Sequence, residues 1–138
     1  MSETGQNFIA GSWCNGQSPI TNINPSDLSD QIGHYAQADS AQLDRAFDAA
    51  QTAQKKWATI GLEARQTILM NIGNELMERR VELGTLLSRE EGKPLAEGVG
   101  EIYRAGQFFT YYAAEVLRQI GDTADSVRAE RQFRCRRN

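Results

Sequence analysis

Apolar residues recur at steps of three and four along most of this chain, and alternate only near its start. Leu43, Ala46, Phe47, Ala50, Ala53 and Trp57 form the first helical run, which predicts an amphipathic helix with one apolar stripe. Asp39 stands at its head, with Gln42 three residues on, the spacing of a capping box. A second run passes through Leu62, Ile68, Leu69, Ile72, Leu76, Leu83, Leu86 and Leu87, and Arg79-Arg80 interrupts it, which predicts a break. It ends at Gly92, which can take the positive φ that closes a helix, while Pro94 has its φ fixed near the helical value and suits the first turn of a third helix. That third helix carries Leu95, Val99, Ile102, Gly106, Phe109, Ala113, Val116 and Ile120 on one stripe, with Gly121 as its stop. Glu97 in its first turn and Arg118 in its last suit the helix dipole. Phe108, Tyr111 and Tyr112 give it a second apolar side, to be covered by the first helix, by the N-terminal strands, or by a partner domain.

Ahead of Asp39 the pattern shortens. Phe8-Ile9 and Ser12-Trp13 read as strands around an Ala10-Gly11 turn, and Asn15-Gly16 offers a second positive-φ site. Ile20 to Asn24 and Gln31 to Ala36 flank Pro25-Ser26-Asp27 as a hairpin. So few strands cannot stand alone, so they must lie on helices or on another sheet. The expected fold class is α+β. A β region spans residues 1–38, the helical part residues 39–121, and a disordered basic tail residues 122–138.

Composition narrows the function classes. With 138 residues, 40% of them hydrophobic, the chain has material for one globular domain. A formal charge of -3 argues against nucleic acid or an anionic membrane as partner, and the apolar runs are too short to span a bilayer. The polar start, Met1 to Asn7, lacks the pattern of a secretory signal, which makes the cytoplasm the expected compartment. Cys14 and Cys135, at opposite ends of the chain, could pair in principle, but two cysteines in a signal-less chain more often stay reduced.

A search for chemistry returns little. Gly98-Val99-Gly100 lacks the third glycine of a dinucleotide fingerprint and falls inside a helix. Gly84 to Lys93 has the wrong spacing for a phosphate loop. The single histidine, His34, supports neither a metal site nor a triad and reads as an ordinary strand residue. Cys14 matches no catalytic motif, and Cys135 between Arg134 and Arg136 is oxidisable but has no pocket or base.

Three separated motifs nevertheless agree in order. Asn7 to Trp13, Asn22 to Asp27, and Leu86 to Pro94 running on to Glu101 and Tyr111-Tyr112-Ala113 resemble the N-terminal region of the NAD(P)-dependent aldehyde dehydrogenase superfamily. Leu87 to Lys93, with Gly100-Glu101 and Arg104 to Gln107, is most similar to the bacterial α-ketoglutaric semialdehyde (2,5-dioxopentanoate) dehydrogenases. The resemblance implies a parent enzyme that oxidises an aldehyde through a cysteine thiohemiacetal, passes hydride to NAD or NADP, and hydrolyses the thioester with a glutamate as base. It also implies that the parent is a homo-oligomer. The nucleophile, base and dinucleotide site of such enzymes lie on later parts of their chains, so no catalytic or cofactor-binding residue is assigned here, and the chain alone is expected to bind no cofactor and to be inactive. What the resemblance offers toward substrate is a tunnel-lining role for Gly100, Arg104 and Phe108 on the third helix, the Arg104 guanidinium facing a substrate carboxylate. The ordinary alternative for Arg104 is a solvated arginine. Glu90, Glu91 and Lys93 are expected to be scaffold.

After Val127-Arg128 the composition turns to arginine, unlike the family's continuation, which suggests a truncated or frameshifted gene. A reading from another class is a helical interaction module that uses the aromatic side of the third helix and the basic tail.

Overall fold

The computed structural model describes residues 4–118 together with residues 122–125 and 132–135. Its order is two short hairpins, four helices and a third strand pair. Strands β1 (Asn7–Ile9) and β2 (Ser12–Cys14) pair antiparallel, Phe8 opposite Trp13. Their turn holds Ala10 at φ 54° and Gly11 at φ 82°, as the Ala10-Gly11 reading requires. Gly16 is a correction: its φ is not positive, and its lack of a side chain instead admits the Gln37 backbone, whose nitrogen would stand 2.7 Å from a Cβ there.

Strands β3 (Pro19–Ile23) and β4 (Gln31–Ala36) form the second hairpin, with an irregularity between Asn22 and Ile23. Its connection is built from local side-chain caps. The Asn24 carboxamide oxygen accepts from Ser26 N at 2.9 Å, and the Asp27 carboxylate accepts from Ser29 N at 3.0 Å.

Helix α1 (Ser40–Thr59) begins where Asp39 accepts from Gln42 N at 2.7 Å. Only half of the expected capping box forms. The Gln42 side chain donates to Asn15 O at 2.6 Å and accepts from Asn7 Nδ2 at 3.2 Å, tying α1 to the β1–β2 hairpin instead of closing on its own cap. The stripe expected to be core is open: Leu43, Phe47 and Trp57 are 54%, 67% and 41% exposed. Among the described residues, no second layer reaches that face.

The long second run is two helices, α2 (Leu62–Glu78) and α3 (Arg80–Glu91), and the predicted break falls at Arg79, at φ -89° and ψ 13°. The Arg79 fork holds the corner by pairing Glu82 at 2.8 and 3.0 Å and Glu75 at 2.9 Å. Helix α4 (Leu95–Glu115) follows, continued by a 3-10 turn at Val116–Arg118, so Arg118 lies just past the helix. Pro94 stands one position earlier than expected, at the N-cap, its carbonyl accepting from Glu97 N and Gly98 N. Ile120 and the expected stop at Gly121 lie outside the described residues.

Helices α2, α3 and α4 meet backbone to backbone. A Cβ on Gly73 would stand 2.8 Å from Gly106 O, and one on Gly106 2.8 Å from Gly73 O. At the α3–α4 crossing a Cβ on Gly84 would lie 2.6 Å from Val99 Cα. Such approach is open only to glycine, and it explains why the buried positions of these helices are Gly73, Gly84, Ser88, Gly98, Gly106 and Ala113 rather than large side chains.

Beyond α4, strands β5 (Asp122–Asp125) and β6 (Gln132–Cys135) pair antiparallel, Asp122 opposite Cys135. Within the span expected to be a disordered tail, these two segments are therefore strands, the second with the period-two pattern Gln132-Phe133-Arg134-Cys135.

Candidate functional site

Gly100, Arg104 and Phe108 follow one another at steps of four on α4, which puts them on one stripe, and all three are exposed. Tyr112 extends that stripe, and its ring meets Tyr111 edge to face, centroids 5.3 Å apart at 86°. The opposite side of α4, through Gly98, Ile102, Gly106, Phe109 and Ala113, packs on α2 and α3. The structure therefore brings the three candidate residues together on an outward stripe without enclosing them in a pocket. Phe108, Tyr111 and Tyr112 are 57% to 59% exposed, so neither α1 nor the strands cover the aromatic side. Among the described residues, Arg104 makes no ion pair.

The Ser88 to Pro94 junction is built differently. Gly92 closes α3 at φ 68°, and both Gly92 N and Lys93 N donate to Ser88 O. Ser26 Oγ donates to Gly92 O at 2.7 Å, and Asn22 Nδ2 to Glu90 at 2.9 Å, so the β3–β4 hairpin is fastened to the corner. Arg89 grips Asp30 with two hydrogen bonds of 2.6 and 2.9 Å. That grip, with a further bond from Asn24, holds the Asp30 carboxyl at about 2, well below its usual range. Lys93, its side chain only 14% exposed, reaches Glu91 at 2.6 Å and Glu101 at 2.8 Å, and these bonds, that to Glu101 first, raise its pKa. A cleft of about 240 Å³ opens here between Asn24, Thr85 and Leu95, with Arg89 and Lys93 in its lining. Both of its cations are already matched by carboxylates, so it is a joint between elements and has no spare charge for an anionic ligand. This agrees with the scaffold reading of Glu90, Glu91 and Lys93.

The remaining candidates behave as ordinary residues. His34 Nδ1 lies 3.1 Å from Thr21 Oγ1 and Nε2 2.9 Å from Gln31 Nε2. Cys14 is a half-buried free thiol whose Sγ lies 3.7 Å from Ser12 O. Gly98, Val99 and Gly100 lie within α4, with Gly98 against α3, so they form no strand-to-helix cradle for a dinucleotide. Among the described residues, no group of three or more His, Cys, Asp or Glu is placed to hold a metal, and no helix is long and apolar enough to cross a membrane.

Sequence reading missed the open end of α1. Ala53, Gln54, Lys56, Trp57, Thr59 and Ile60 line an apolar cleft of about 790 Å³. The Arg65 guanidinium sits 5.8 Å from the Trp57 ring and donates to Ala58 O at 2.7 Å. The periodicity showed that Trp57 shares the stripe, but it could not show that nothing within the described residues covers it.

The profile of the aldehyde dehydrogenase family matches residues 13–138, so the arginine-rich end lies inside the matched span. Succinate-semialdehyde dehydrogenase [NADP(+)] of Escherichia coli is 35% identical over 93% of this chain and 27% of its own length. The α-ketoglutaric semialdehyde dehydrogenase of Bacillus subtilis is 32% identical over 88% of this chain and 25% of its own length. Among solved structures, an NADP-dependent enzyme of Escherichia coli superposes with a TM-score of 0.83 at 34% identity, covering 94% of this chain and 27% of that one. An aldehyde dehydrogenase of Brucella melitensis biovar abortus does so at 0.84 and 28% identity, over 93% of this chain and 27% of that one. The chain thus spans about a quarter of the length of the relatives it matches, and its strands and helices have the architecture of the N-terminal part of their fold. With the profile matched from β2 through β6, the chain belongs to the aldehyde dehydrogenase family.

Proposed function

We propose that this chain is part of an enzyme that oxidises a semialdehyde acid, α-ketoglutaric semialdehyde or a close analogue, to the dicarboxylate with NAD⁺ or NADP⁺. The observation that carries the substrate class is Arg104, which stands open on the same α4 stripe as Gly100 and Phe108. A guanidinium fork there offers paired hydrogen bonds to the carboxylate end of such a substrate, while Phe108 supplies an apolar wall and Gly100 leaves room. Relatives named for succinate, α-ketoglutaric and glutarate semialdehydes share that chemistry, an aldehyde at one end and a carboxylate at the other. The nicotinamide nucleotide would accept hydride when bound. Gly98 to Gly100, inside α4, offer no strand-to-helix turn for it, and no step on it is assigned to the described residues.

The test replaces the matched quarter of the Escherichia coli succinate-semialdehyde dehydrogenase with this chain. Arg104→Met should raise KM for succinic semialdehyde by about tenfold and that for butyraldehyde by less than about twofold, the difference expected for one charge-assisted bond. Equal effects on the two aldehydes sink the proposal. The 138-residue chain alone should neither bind NAD⁺ or NADP⁺ nor turn over aldehyde, and measurable turnover would contradict the reading of it as a part.

A further inference from the structure

We infer that Lys93 is a positioning residue for substrate choice: by holding the Glu101 carboxylate in an ion pair at the α3–α4 corner, it keeps that carboxylate off Arg104 and leaves the Arg104 guanidinium open to a substrate carboxylate. This rests on the reading of Arg104 as the group that receives a semialdehyde acid.

Residues three and four apart on a helix are neighbours, so those beside Arg104 on α4 are Gly100, Glu101, Gln107 and Phe108. Glu101 is the one acid among them, and it stands on the N-terminal side of the arginine, the favoured order for a helical ion pair. Both side chains are exposed. An unengaged Glu101 would therefore compete, from within the chain, for the same donors that a substrate carboxylate needs. In this structure it is engaged elsewhere. Lys93 Nζ lies 2.8 Å from Glu101 Oε2, and among the described residues Arg104 makes no ion pair.

Lys93 wins this contest because the corner holds it in place. Its own N–H, with that of Gly92, donates to Ser88 O where the left-handed Gly92 closes α3, so its backbone is fixed on both sides of the turn. Its side chain is only 14% exposed, and its ammonium, with three donors, serves Glu91 at 2.6 Å as well as Glu101. Arg104 is a long side chain in open solvent and would have to surrender its rotamer freedom to make the same bond. A plain fastener between corner and helix would be damaged alike by loss of either partner. A competitor held away behaves otherwise: losing Lys93 releases Glu101 toward Arg104, whereas losing Glu101 removes the competitor.

That difference in sign is the test, read in the chimera with the Escherichia coli enzyme as the ratio of KM for succinic semialdehyde to KM for butyraldehyde. Lys93→Met should raise the ratio about threefold, since an exposed helical pair would leave Arg104 free about a third of the time and apparent affinity scales with that fraction. Adding Glu101→Gln should restore the ratio, and adding Glu91→Gln should not. Glu101→Gln alone should leave the ratio where it was or lower it. An unchanged ratio in Lys93→Met, or a rise that Glu101→Gln does not reverse, overturns the proposal, the second being the mark of a loosened corner. Where Lys93→Met does not yield a soluble chimera, hydrogen exchange of the Arg104 Nε proton, followed by NMR in the 138-residue chain with labelled arginine, decides: Lys93→Met should slow it about threefold and Glu101→Gln should abolish the slowing, and no slowing overturns the proposal. Selective loss in Arg104→Met with no effect of Lys93→Met removes the role of Lys93 and leaves the substrate reading standing. Equal effects of Arg104→Met on the two aldehydes remove the substrate reading, and the role of Lys93 in substrate choice falls with it even if the exchange is slowed.

Discussion

Helices α2, α3 and α4 and helix α1 solve the same problem in opposite ways. The first three touch backbone to backbone through Gly73, Gly106, Gly84 and Gly98, so they pack on one another without large buried side chains. Helix α1 has larger apolar residues at helical spacing and buries none of them. Side-chain size is therefore a poor guide to which helices of this molecule pack on one another; close approach is the better one.

The sharpest way to break the contrast is Gly84→Val. Its Cβ would enter the Val99 backbone, where nothing yields as a flexible side chain would, and it should destabilise the chain by roughly 3 kcal/mol in urea unfolding. Asp39→Ala should cost about 1 kcal/mol through the lost cap, and the helical signal lost first on heating should amount to the length of α1 alone if that helix melts independently. Gly100→Ala, with nothing within 4 Å of the added Cβ, should stabilise α4 by about 0.8 kcal/mol, a gain opposite in sign to Gly84→Val on the neighbouring helix.

A smaller, acid-limited effect belongs to the hairpin that rests on the corner after α3. Asp30 has its pKa lowered from 3.8 to about 2 by Arg89 and Asn24, so its contribution is full above the unfolded value and disappears as pH falls through the folded one. The urea midpoint should therefore drop between about pH 4 and pH 2, and Asp30→Asn should flatten that slope. Phe47→Ser should change the stability of the isolated chain by less than about 0.5 kcal/mol, since the ring is already in water.

Local chemistry was legible in the sequence. The Arg79 break, the Gly92 closure, the Asp39 cap and both hairpins follow from residues within a few positions of one another. Partnership between distant positions was less so. Gln42 has the spacing of a capping box, yet its amide finds Asn15, and Gly16 looks like a turn residue, yet it makes room for Gln37. The paired glycines of α2 to α4 carry no periodic signal of their own, and the β5–β6 pair was hidden because charge masked a short alternation. The candidate site was legible as a stripe, since Gly100, Arg104 and Phe108 share spacing, but a stripe does not reveal what faces it.

The corner after α3 also has a bearing on the order in which the chain assembles. Helices α2, α3 and α4 are consecutive, and their contacts close short loops, whereas the hairpin reaches them through Asp30–Arg89, Ser26–Gly92 and Asn22–Glu90, separated by 59, 66 and 68 residues. Contacts of low sequence separation form early, so the helical trio is the expected nucleus and the hairpin a late arrival, although it is made first in synthesis. Substitutions at Gly84 should then slow refolding, while those at Asp30 should mainly speed unfolding.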